Sequence, residues 1–151
     1  MALKDDIALL ERLSIFEGLK EDHLRLLAFG AERKRIGDGH VLFREGAQAD
    51  CAFVVISGSL RLTKSGPGGE NVIGTAPAGS ILTEIAMIAE SERHFTATAI
   101  GDSEVMRISR TLFHRMLEEY PEVAVSTERR MRENFARLVG AAGALSSKFA
   151  G

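Results

Sequence analysis

Residues 79–99 read Gly79-Ser-Ile-Leu-Thr-Glu-Ile-Ala-Met-Ile-Ala-Glu-Ser-Glu-Arg-His-Phe-Thr-Ala-Thr-Ala99. A turn glycine leads into Ile81 and Leu82, which end a strand. A short helical run from Glu84 to about Ala89 follows, then an alternating strand from Phe95. Glu84 and Arg93 lie nine positions apart, on either side of the helical run. The first turn of a helix leaves N–H groups unpaired, and its dipole favours an anion there. Thr83 is placed to cap that turn, and Glu84 falls inside it. If the next strand runs back alongside, Arg93 returns to the same helix start. Its guanidinium can then hold a phosphate through two parallel hydrogen bonds. The carboxylate would be a poor phosphate ligand but a good acceptor for a sugar hydroxyl. A plain Glu84–Arg93 ion pair satisfies the same spacing, so the residues alone leave both readings open.

Working outward, short alternating runs are punctuated by glycine: Arg33–Ile36, His40–Arg44, Ala52–Ser57, Leu60–Lys64, Asn71–Ala76, Phe95–Ile100 and Glu104–Ile108. Many short strands at even spacing predict an antiparallel barrel, sandwich or jelly roll. Helical periodicity brackets them. Ile7, Leu10 and Leu13, then Leu24, Leu27 and Phe29, predict two N-terminal helices. Thr111 is expected to cap a helix running to Tyr120, and Pro121 to open another running to about Leu145. The expected architecture is mainly β within an α+β class: one domain over 1–151. N-terminal helices occupy 1–30, an antiparallel β-roll 31–110 and two C-terminal helices 111–145.

Composition narrows the function. The chain has 151 residues, 45% hydrophobic and 26% charged, which suits one folded domain with a real core. Its net charge of −2 gives no basic footprint for nucleic acid or an anionic membrane. Cys51 is the only cysteine, so no internal disulfide exists, and a cytoplasmic setting is expected. Beside Ala-Phe-Val-Val-Ile it reads as a small buried hydrophobe. The N-terminus has acids where a signal peptide has basic residues. Gly66-Pro67-Gly68-Gly69 lacks the lysine of a P-loop and reads as a hairpin turn. His23, His40, His94 and His114 lie in separate elements with no His-x-His pair, so no metal site is expected. No catalytic arrangement stands out, and no enzyme is expected.

In the last helix Met131, Phe135, Leu138, Ala142 and Leu145 recur at heptad spacing. That stripe fits packing on the chain's own roll or the seam of a homodimer.

The motif Gly79-x-x-Leu82-Thr83-Glu84-Ile85-Ala86-Met87-x5-Arg93-x-x-Thr96-Ala97 resembles the phosphate-binding cassette of cyclic nucleotide-binding domains. These are the modules of catabolite activator proteins, protein kinase A regulatory subunits and cyclic nucleotide-gated channels. Ile15-Phe16-x-x-Leu19, the run Gly37–Gly46, Phe53–Leu60 and Asp102–Arg110 with Phe113 resemble the same family, over about residues 12–138. The resemblance implies that Glu84 accepts from the ribose 2′-hydroxyl and that Arg93 pairs with the cyclic phosphate. Backbone N–H groups of Ile85 and Ala86 would complete the cradle. Asn134, on a lid helix, would contact the base. Cyclic AMP is the implied ligand in preference to cyclic GMP, because His94 stands where a guanine-selecting hydroxyl would be. No other cofactor is implied.

The chain departs from the family at Leu82, where phenylalanine is usual. Thr83 replaces a glycine, Glu92 replaces a proline, and Phe95 replaces a small residue and would shrink the pocket if it points inward, a face that alternation with Thr96 leaves open. They favour an alternative: a ligand-free roll kept for dimerisation or docking to an unknown effector. The chain stops near Gly151 with no room for a helix-turn-helix, so a stand-alone or excised sensor domain is expected.

Overall fold

The computed structural model describes residues 3–127, 129–130 and 132–133. Helix α1 (Leu3–Glu11), a single 3₁₀ turn (Ser14–Phe16) and α2 (Glu21–Gly30) precede the strands. These are β1 (Glu32–Ile36), β2 (Val41–Phe43), β3 (Gln48–Ala49), β4 (Cys51–Gly66), β5 (Gly69–Pro77), β6 (Ile81–Leu82), β7 (Ser91–Glu92) and β8 (Thr96–Ser109). Helix α3 (Arg110–Glu119) follows, and 121–127 is helical again. The main sheet runs β1-β8-β4-β5, with β2 also on β8 and β6 also on β4, while β3 pairs with β7. Every pairing is antiparallel. The predicted antiparallel roll between helices is therefore the fold. The expected heptad stripe and Asn134 lie outside the described residues.

Glycine bends strands here where the sequence suggested that it ends them. The runs 52–57 and 60–64 form one strand, β4, which passes through Gly58. The runs 95–100 and 104–108 likewise merge in β8 through Gly101. Both glycines have positive φ, +78° and +70°, where a Cβ is unfavourable. The β4–β8 register slips on either side of Ser57, from Val55↔Val105 to Ser59↔Ile100. Two long strands thus serve both ends of the roll, and a bulge supplies the corner. Ser103 pins it: its Oγ accepts from the Ser59 N–H at 3.2 Å.

The uninterrupted apolar run from Cys51 has partners on both sides. Cys51, Phe53 and Val55 face the roll interior with Phe43, Leu60, Leu82, Ala97 and Val105. Ala52 and Val54 face outward onto a second core of Leu10, Phe16, Leu24, Leu27, Met87, Phe113 and Met116. Alternation along one strand therefore joins both cores. Each fully buried large side chain contributes about 1.5–3 kcal/mol. Ser109, rather than Thr111, caps α3: its Oγ accepts from Leu112 N–H at 3.1 Å, so the helix starts two residues earlier than the threonine would allow. Charges on β1 and β8 are met by opposite charges from each other and from neighbouring segments. Arg33 pairs with Asp6 and Glu104, and Arg107 with Asp50. Among the described residues no helix is long and apolar enough to cross a membrane.

A Cβ at Gly58 would lie 2.2 Å from Ser103 Oγ and 2.8 Å from the Asp102 carbonyl oxygen, whereas one at Gly79, also at positive φ, meets nothing within 4 Å. Gly58→Ala should therefore lose about 2–4 kcal/mol, combining backbone strain and overpacking, and Gly79→Ala only about 1–2 kcal/mol. Urea midpoints of the two variants measure the difference.

Candidate functional site

The cassette crosses from β6 to β8. Its helical part is shorter than the periodicity suggests: a four-residue 3₁₀ turn, Glu84–Met87. Thr83 occupies the cap position without acting as a side-chain cap, because its backbone is left-handed (φ 59°, ψ 47°) and its side chain makes no cap hydrogen bond. It is the one non-glycine residue with positive φ among those described. A β-branched residue there stores about 1–3 kcal/mol of strain. The Ala86 N–H donates to the Thr83 carbonyl at 3.1 Å, so the turn itself uses one of the two expected cradle donors. The turn is tied down from α3: Arg110 Nε donates to the Ala86 carbonyl at 2.9 Å, and Nη2 to the Ala49 carbonyl at 2.8 Å.

Arg93 is 4% exposed. Strand β7 and the residues after it alternate, sending Arg93 inward while Glu92 and His94 stay exposed. The Arg93 backbone is clamped to the 44–47 turn: its N–H donates to the Ala47 carbonyl, and its carbonyl accepts from Gly46. Inside the roll, Nη1 donates to the Cys51 carbonyl at 2.9 Å and Nη2 to Cys51 Sγ at 3.1 Å. The guanidinium carbon stands 4.5 Å from the centre of the Phe43 ring and 5.1 Å from that of Phe53. All of these neighbours are neutral at the point of contact. Burial pushes the Cys51 thiol up from its ordinary value, against the lowering effect of the Arg93 hydrogen bond, so the sulfur meets the arginine as a thiol.

Glu84 is half-buried in the same cassette, and among the described residues no cation pairs with it. The ion-pair alternative is therefore not what the fold builds. The structure encloses an acid and a base separately and joins neither to the other. Burial raises the Glu84 carboxyl above its ordinary value of 4.5, opposed by a hydrogen bond from its own backbone N–H.

The remaining expected residues divide between two places. Ile85 and Ala86 are buried in the turn. Phe95 packs into the roll with its ring 5.6 Å from Phe43, which settles the face its alternation left open. His94 lies on the outside, lining an open groove of about 540 Å³ with Ile85, Ala89, Ser91, Glu92 and Arg132. Glu92, the acidic substitution beside the arginine, thus points away from the guanidinium. Cys51, Phe43 and Phe53 were missed as neighbours of Arg93. Only the shared parity of Cys51 and Phe53 along β4 hinted at them.

An acid whose folded value is raised destabilises the fold when ionised. Below 4.5 both folded and unfolded chains hold the proton. As pH rises from there to the folded value, the unfolded chain ionises first and stability falls, remaining lower above that window. Glu84→Gln should therefore be more stable than the wild type near pH 7, the advantage vanishing by about pH 4. Thermal unfolding across that range checks the sign.

The sequence profile of the cyclic nucleotide-binding domain matches residues 33–120. A solved cyclic nucleotide-binding-like protein from Brucella abortus is 45% identical, covering 76% of this chain and 98% of that one, with a TM-score of 0.71. The catabolite activator protein of Thermus thermophilus shares the fold: 23% identity, 90% and 62% coverage, TM-score 0.74. So does the regulatory domain of Toxoplasma gondii PKA, solved with cAMP: 23% identity, 89% and 50% coverage, TM-score 0.73. Among curated proteins, the lysophospholipase nte1 of Neurospora crassa is 34% identical over 98 residues. That match takes in 64% of this chain and 6% of the lysophospholipase. On this evidence the chain belongs to the cyclic nucleotide-binding domain family.

Proposed function

We propose that this chain is a regulatory sensor that binds a cyclic nucleotide, cyclic AMP in preference to cyclic GMP, and acts through its C-terminal helices rather than by catalysis. One observation carries the reading. Arg93 is a buried cation whose partners are a carbonyl, a thiol and two aromatic rings. Buried charges are ordinarily matched by an opposite charge. A guanidinium carries more N–H donors than the two committed to Cys51. An entering cyclic phosphate supplies the missing anion, and Glu84 supplies an acceptor for the sugar hydroxyl.

The output follows from what Arg110 holds. It is the first residue of α3, and its side chain grips the cassette turn at Ala86 and strand β3 at Ala49. A shift of the turn on ligand binding is then felt at the start of the C-terminal helices. Ligand moves this equilibrium only by its differential affinity for the two arrangements.

The ligand-free docking module is the competing reading. It is favoured by the strain at Thr83 and by Phe95 filling the roll beside Phe43. Thermal unfolding separates the two. Cyclic AMP at about 100 times its dissociation constant should stabilise the wild type by about 2.7 kcal/mol, with a smaller effect of cyclic GMP at the same concentration. Arg93→Ala should abolish the shift. No shift with either nucleotide at millimolar concentration would transfer the weight to the docking module.

A further inference from the structure

We infer that Cys51 positions the ligand arginine: its carbonyl and thiol hold one edge of the Arg93 guanidinium, leaving the other donors free for the anion. The inference rests on the nucleotide reading of the site and adds to it a residue outside the cassette. Cys51 lies on β4, 42 positions before Arg93, and is 1% exposed. It offers two acceptors to two nitrogens of one side chain, at 2.9 and 3.1 Å. Two contacts on one planar group fix its rotation within the plane. The Phe43 and Phe53 faces fix its tilt. Without these contacts a long, flexible side chain would have to be ordered by the ligand itself, and binding would weaken by that cost.

The backbone around Cys51 is firmly placed, so the hold is a property of the fold rather than of one rotamer. Cys51 stands opposite Ser109 in the β4–β8 ladder, and Ser109 caps α3. The preceding Asp50 carbonyl accepts from the Arg110 N–H at 2.8 Å. A substitution of the Cys51 side chain removes the sulfur contact and leaves the carbonyl in place. Its effect should accordingly be graded.

The test compares Cys51→Ala and Cys51→Ser in the wild-type and Arg93→Lys backgrounds. Calorimetric titration with cyclic AMP should show Cys51→Ala weaker by about five- to tenfold, the worth of one ordinary hydrogen bond, sulfur being a weak acceptor. Cys51→Ser, which keeps an acceptor of similar size, should stay within about threefold of wild type. In the Arg93→Lys background Cys51→Ala should cause no further loss, a non-additivity that general loosening of the core would not produce. Thermal unfolding verifies that each variant is folded.

A second readout needs no nucleotide. The ¹⁵N-resolved Nη signals of Arg93 should be separate in the wild type and in Cys51→Ser, because rotation of a held guanidinium is slowed, and exchange-broadened in Cys51→Ala, which keeps only the carbonyl contact. Unchanged affinity together with unchanged Nη signals in Cys51→Ala would overturn the inference. Failure of the wild type to bind cyclic AMP at all would overturn the nucleotide reading instead, and the Nη signals would then decide the role of Cys51.

Discussion

A guanidinium buried without a carboxylate is the constraint on which the site depends. Arg93 is placed by neutral acceptors and ring faces, and Glu84 of the same cassette makes no ion pair with it. Pairing the two would stabilise both, yet the fold holds them apart. Each carries an unfavourable desolvation that an ion pair would offset. Such concentrations of uncompensated charge are characteristic of functional sites.

The rest of the molecule serves that arrangement. The long strands β4 and β8 carry Cys51 and Phe53 to one face of the roll and Ala52 and Val54 to the helical core. One strand therefore connects the arginine's surroundings to the helices. The Ala49–Cys51 segment is the mechanical junction. It meets Arg93 through Cys51, the ladder through Ser109, and α3 through Arg110. These are short, directional contacts, and they put the arginine, the strand ladder and the start of α3 within three consecutive residues of one another.

Much of this was legible in the sequence. Alternation and glycine spacing located the strands, and the cassette motif located Glu84 and Arg93. Where the reading failed, non-local structure was responsible. Gly58 and Gly101 looked like terminators because a bulge requires the same positive φ as a turn, and only the partner strand reveals which it is. Thr83 looked like a cap because threonine prefers that role, but the turn demanded a left-handed residue. Ser109 took the cap from Thr111 because β8 runs to that position and sets where the helix can begin. Cys51 read as inert packing because its contact with Arg93 spans 42 residues and follows from strand register alone. Asn134 and the heptad stripe fall outside the described residues.

The claim that the roll is built around an anion is tested most directly by calorimetric titration of the wild type with cyclic AMP and, separately, with adenosine. The two share base and sugar and differ in the phosphate that Arg93 would receive. The account predicts saturable binding of cyclic AMP and at least about a hundredfold weaker binding of adenosine, as expected for loss of a buried charge-assisted contact. Equal affinity for the two, or no heat from either at millimolar concentration, would contradict it.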